Sequence, residues 1–129
     1  MKKNGILNPQ INRIISEMGH GDMLIIADAG LPIPKEVERI DLALKCGSPS
    51  FAEVLRAVLS EFEVEDCYVA KEIKEKNPQV LNLISSSIKE IQFITHTELK
   101  DLSKQSRAII RTGECSPYSN IILTSGVIF

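Results

Sequence analysis

Apolar residues recur along the chain in two registers, a helical spacing of three and four and short unbroken runs, and the two alternate from end to end. Ile11, Ile14, Ile15 and Met18 fall at i, i+3, i+4 and i+7, behind Asn8 as a cap and Pro9 at the first helical position. With Gly19 stopping the turn, this predicts a first helix with one apolar face. Met23 to Ala27 is an apolar run too short for a helix and ends in Asp28-Ala29-Gly30, as expected of a strand covered on both faces. Leu31-Pro32-Ile33-Pro34 reads as a stiff loop, because each proline drives its predecessor to extended geometry. A second short strand is expected over Ile40 to Leu44.

Ser50-Phe51-Ala52-Glu53 has capping-box spacing, and Val54, Leu55, Val58, Leu59 and Phe62 supply the helical stripe that follows. Val64 to Ile73 reads as a strand leading into Lys74-Glu75-Lys76, after which Asn77-Pro78 repeats the cap-plus-proline signature for a helix through about Ser86. Ile91 to Ile94 is a strand, and Thr95 with Glu98 caps a short helix to Lys104. Ala108 to Ile110 and Ile121 to Leu123 are the last strands, separated by the loop Thr112 to Asn120. The alternation predicts an α/β chain: a single three-layer α/β/α domain over residues 1–129, with a mostly parallel sheet that admits a mixed strand. Ligands of such sheets settle beyond the carboxyl ends of strands, where Asp28, His96 and the loop after Ile110 are expected.

Charge narrows the function classes. Fifteen Lys and Arg against 17 Asp and Glu leave a net charge of −2, and mixed signs over 71–76 cancel locally, so no field concentrates nucleic acid. No run reaches 18 uncharged apolar residues and the start is too short in apolar residues for a secretory signal, so no membrane span and a cytoplasmic location are expected. Cys46, Cys67 and Cys115 fit neither a disulfide framework nor a zinc site and read as small hydrophobes in or near a core. With only two histidines, no metal set is identifiable. The phosphate-loop, dinucleotide, serine-hydrolase and zinc-protease signatures are missing, which leaves cofactor-free acid/base chemistry.

A few residues could carry that chemistry. His20 sits in Gly19-His20-Gly21-Asp22, where flanking glycines let a ligand or a partner backbone approach an imidazole that titrates near neutrality. The competing reading is a solvated loop histidine. His96 and Lys100 are four apart on the short helix and share a face, and a helix start favours a neutral imidazole. Asp28 ends an apolar strand, where its carboxylate either caps the amides of Ala29 and Gly30 or meets a ligand. If Tyr118 to Asn120 is extended, Tyr118 and Asn120 point the same way, a phenol and an amide suited to hydroxyl-bearing ligands.

The strings Gly19-His20-Gly21-Asp22, Asp28 to Pro34 and Arg111 to Leu123 resemble the D-ribose pyranase family, also called ribose mutarotases, and the likeness runs end to end. The sister fucose mutarotases share the early His and Asp region, whereas the continuous Gly113 to Asn120 run resembles the ribose branch. The resemblance implies a cytoplasmic enzyme that interconverts the β-pyranose and β-furanose forms of D-ribose without metal or cofactor. It also implies a homodecamer of two stacked pentameric rings. On this likeness the catalytic histidine falls on His20, and Asp28, His96, Lys100, Tyr118 and Asn120 hold the sugar. Ser119 stands where many relatives carry Ala, which matters little if that side chain points away from the sugar.

Extended geometry adds a constraint. A strand over Met23 to Ala27 separates His20 from Asp28 by on the order of 20 Å along the chain, so the expectation is a site completed across a subunit interface. A non-catalytic sugar-binding accessory of ribose transport, or a mutarotase acting on fucose, are the alternatives.

Overall fold

The computed structural model describes residues 1–129. In chain order the elements are α1 (Pro9–Glu17), β1 (Met23–Ala27), β2 (Glu38–Asp41), α2 (Phe51–Leu59), β3 (Val64–Ala70), α3 (Ile73–Lys76), α4 (Pro78–Ser87), β4 (Ile91–Ile94), α5 (His96–Leu102), a 3-10 turn (Ser103–Gln105), β5 (Ala108–Arg111) and β6 (Ile121–Ser125). The caps read from sequence do their work. Asn8, Ser50 and Asn77 side chains accept from Ile11, Glu53 and Val80 N–H groups, and Thr95 with Glu98 closes a full capping box on α5.

The strands form one six-stranded sheet in the order β2-β5-β1-β6-β3-β4. Pairing is parallel for β2 with β5, β5 with β1 and β3 with β4, while β6 runs antiparallel to both β1 and β3. The sheet is therefore mixed through a single reversed strand. Alternate residues of each strand face opposite sides. Leu24, Ile26, Ile110, Ile121 and Leu123 join one core with Ile11 and Ile14 of α1, Phe51 and Leu55 of α2 and Ile84 of α4. Ile25, Ala27, Ile109 and Ile122 meet Leu99 of α5 and Leu31 and Val37 of the proline loop on the other side. Three layers result, one flank thick and helical, the other thin. Each fully buried Ile or Leu stabilises the fold by about 1.5–3 kcal/mol relative to leaving it in water.

Two strand boundaries differ from expectation. β2 lies at Glu38–Asp41 rather than over Ile40 to Leu44, because it is an edge strand: Ile40 alone is fully buried, and the charged neighbours Arg39 and Asp41 face solvent. β3 stops at Ala70, and Ile73 instead starts the helical turn α3 with its side chain buried. Of the cysteines, only Cys67 is a core residue; Cys46 and Cys115 are exposed on loops. No helix is long and apolar enough to cross a membrane.

Candidate functional site

Beyond the carboxyl ends of β1 and β4 lies a cleft of about 310 Å³ lined by Asp28, His96, Lys100 and Tyr118, with the backbone of Gly30 to Pro32 along one wall. Asp28 follows the last residue of β1, and His96 opens α5 directly after β4. The i, i+4 spacing brings His96 and Lys100 to the same cleft. Asn120 is 1% exposed and sits behind the cleft against Asp28. Its Oδ1 accepts from the Asp28 backbone N–H at 2.9 Å, and its Nδ2 donates to Asp28 Oδ2 at 2.8 Å. Asp28 Oδ1 accepts from Gly30 N–H at 2.9 Å, whereas Ala29 N–H donates to the Glu114 carbonyl, so the carboxylate caps one loop amide of the two expected.

Tyr118 is not extended. Its φ is +56°, the left-handed region that costs a bulky residue energy unless the surroundings hold it there. Tyr118 and Asn120 thus reach the site by different routes, the phenol from a turn and the amide from the residue just before β6. The Tyr118 ring meets His96 edge-on, with centroids 5.2 Å apart and planes at 87°. The buried Nδ1 of His96 has no hydrogen-bond partner, leaving Nε2 as the nitrogen that reaches solvent. Burial first, and then the nearby Lys100 ammonium, push the imidazole below its ordinary range, against smaller opposing pulls from Glu72 and Asp28. The cleft therefore presents a neutral imidazole, a carboxylate, an ammonium and a phenol, donors and acceptors suited to several hydroxyls of one small molecule.

Two supports escaped sequence reasoning. Glu72 accepts the His96 backbone N–H through both oxygens, at 3.2 and 3.1 Å. Burial alone would raise its carboxyl, but backbone N–H groups of Glu72 and His96 outweigh this and hold it low. Glu114 accepts from Phe51 N–H through one oxygen and from Ser116 N–H and Oγ–H through the other, fastening the site loop to the start of α2. Ser119 is buried and points into the protein, away from the cleft-lining residues. Glutamates on two different loops carry no local spacing signal; only the resemblance covers Glu114.

His20 is elsewhere. It belongs to the turn before β1, at the opposite end of that strand from Asp28, and lines a second cleft of about 560 Å³ with Met18, Phe62, Ser125 and the chain end at Ile128 and Phe129. Gly21, with φ at +82°, gives the left-handed turn there, and its N–H donates to the Ser125 carbonyl. The imidazole is more than half exposed and contacts Glu65 through Nε2 at 3.0 Å. One chain thus gathers Asp28, His96, Lys100, Tyr118 and Asn120 and leaves His20 apart.

Comparison with known proteins gives a consistent relationship. A D-ribose pyranase of Lactobacillus johnsonii is 53% identical over 131 residues, covering 100% of both chains. One of Geobacillus thermodenitrificans is 53% identical, covering 100% of this chain and 99% of the relative. Bacillus subtilis RbsD complexed with D-ribose superposes with a TM-score of 0.93 at 45% identity over 100% of both chains. A fucose mutarotase of Streptococcus pneumoniae in complex with L-fucose shares the fold, with a TM-score of 0.77 at 24% identity over 95% of each chain. Residues 1–128 match the RbsD / FucU transport protein family, and with full-length relatives above half identity the chain belongs to that family.

Proposed function

We propose that this protein is a D-ribose pyranase, interconverting the pyranose and furanose forms of the sugar by opening and reclosing its hemiacetal. The observation that carries the reading is the convergence of Asp28, His96, Lys100 and Tyr118 on one cleft at the small end of the range for small-molecule sites. Full-length similarity to D-ribose pyranases and to an RbsD that binds D-ribose names the sugar.

Ring opening needs a proton delivered to the endocyclic oxygen and one removed from the anomeric hydroxyl; a different hydroxyl then attacks the freed aldehyde. The reaction is already measurable in water, so an acid or base contributing about 10² to 10⁴-fold suffices without covalent catalysis. In this proposal Asp28 holds hydroxyls, with the Asn120 amide behind it fixing the carboxylate; His96, Lys100 and Tyr118 fix the rest of the sugar. His20 of a neighbouring copy delivers the proton. Its place at the far end of β1 from Asp28 supports this arrangement, as does the exposed Ile128 and Phe129 beside it, an apolar end suited to a subunit contact. The assembly proposed is the homodecamer of two pentameric rings, in the cytoplasm, with no cofactor.

The test is equilibrium exchange between the ribose ring forms by NMR. Wild-type protein should accelerate it, and His20→Ala should abolish the acceleration while still binding ribose in a titration. Folded wild-type protein that leaves the exchange rate unchanged would refute the assignment. Acceleration of fucose exchange above that of ribose would move the substrate to the sister branch.

A further inference from the structure

We infer that Asn77 is a positioning residue for the sugar site, clamping the turn that presents Tyr118. The inference rests on the proposed sugar cleft but concerns a residue outside it. Asn77 is 8% exposed and lies at the junction of α3 and α4, some forty positions before the loop it holds. Its Nδ2 lies within hydrogen-bonding distance of three acceptors on that loop: Ser116 Oγ at 3.1 Å, the Pro117 carbonyl at 2.9 Å and Ser119 Oγ at 3.1 Å. Two amide N–H bonds are shared among three acceptors, so none is free to turn away. The bonds bracket Tyr118 on both sides, and Tyr118 is the only non-glycine residue in the left-handed region. Such a conformation persists only where the surroundings over-determine it.

The anchor itself is held at its other end. Asn77 Oδ1 accepts from Val80 N–H at 3.4 Å as the cap of α4, and its backbone N–H donates to the Ile73 carbonyl at 2.9 Å. Ser116 and Ser119 hydroxyls lie 2.8 Å apart, completing a small, partly buried network under the turn. Ser119 thus has a use in this chain although it does not face the cleft. If the donor is lost, only the Glu114–Ser116 and Ser116–Ser119 contacts are left to hold the turn against the strain at Tyr118, and the ring that packs edge-on against His96 relaxes out of place.

Two variants separate this role from helix capping. Asn77→Asp and Asn77→Ser both keep an oxygen to cap α4, and both lose the amide donor. The serine variant introduces no buried charge, so it remains informative if the aspartate variant fails to fold. The expected result is a KM for ribose raised about tenfold, with kcat within about threefold of wild type and a melt that stays cooperative while moving to lower temperature. The split follows because the turn grips the sugar while the proton donor is supplied from elsewhere. A folded Asn77→Ser protein whose KM stays within twofold of wild type overturns the inference. Wild-type protein that fails to accelerate ribose exchange sinks the functional reading instead, and the two failures are read from different samples.

Discussion

Asn120 holds Asp28 at two points at once, taking the backbone N–H at 2.9 Å and giving its amide to the carboxylate at 2.8 Å. The side-chain amide is therefore oriented by the protein: exchanging its oxygen and nitrogen would break both bonds. One Asp28 oxygen is directed by Asn120 and the other by Gly30 N–H, so the carboxylate is set before any ligand arrives. Preorganisation of this kind lowers the ordering cost of binding.

Asn120→Asp should test it most sharply. The substitution keeps shape and replaces a donor with a second carboxylate beside Asp28, so one of the pair must take up a proton or repel. We expect ribose affinity at pH 7 to fall at least about tenfold and the fold to lose about 1–3 kcal/mol. Isothermal titration and urea unfolding measure the two, and unchanged affinity would show that Asp28 is fixed by other means.

His96 gives a pH dependence with a defined sign. Its proton affinity is lower in the folded protein than in the unfolded chain, so the unfolded state gains the proton first as pH falls. Its contribution to stability is complete above the ordinary histidine range and declines as pH drops through that range toward the depressed folded value. NMR titration of the two histidines should show His96 protonating below 6.5, with ribose binding weakening as it does. A His96 resonance titrating above 6.5 would contradict the burial argument.

Much of this was readable in advance because it is local. Asn8-Pro9, Asn77-Pro78 and Thr95 with Glu98 announce helix starts within four residues, and each start is where it should be. The buried runs of β1, β5 and β6 are equally plain, being apolar on both faces. β2 was displaced because an edge strand carries its apolar signal on one residue, Ile40. Tyr118 deceived for a related reason: nothing in Pro117-Tyr118-Ser119 marks a left-handed residue, since the force that holds it comes from Asn77, distant in sequence. The capping use of Asn77 was visible, and its second use was not.

Subunit mixing is a direct test of where the proton donor comes from. His20→Ala and Asp28→Ala proteins, each inactive alone, should recover activity when exchanged into common assemblies. With each site drawing His20 from one copy and Asp28 from its neighbour, random mixing at equal amounts restores about a quarter of the sites. No recovery after verified exchange would exclude a shared site.

Gly113→Ala should be strongly destabilising. A Cβ there would press on the backbone carbonyl oxygens of Ser48 and Lys45, the latter at 2.5 Å, and backbone cannot swing aside as a side chain can. Gly113 also takes a hydrogen bond from Gly47 and gives one to the Pro49 carbonyl. A loss of about 2–4 kcal/mol is expected, on the scale of other overpacked or strained buried positions. Thermal and chemical unfolding check this, and a shift below about 0.5 kcal/mol would mean the two loops part easily.

The reversed strand has one more consequence. β1 leads from the turn of His20 to Asp28, and β6 leads back from Asn120 to the neighbourhood of His20, the two paired over four residues each, Met23 to Ile26 against Ile121 to Thr124. Together they act as a molded ruler with an imidazole at one mark and a carboxamide-bound carboxylate at the other. A residue inserted into either strand alone would bulge the ladder and throw the marks out of step. Under the shared-site arrangement proposed above, the tolerated length of these two strands would be tied to the offset at which one copy sits against the next.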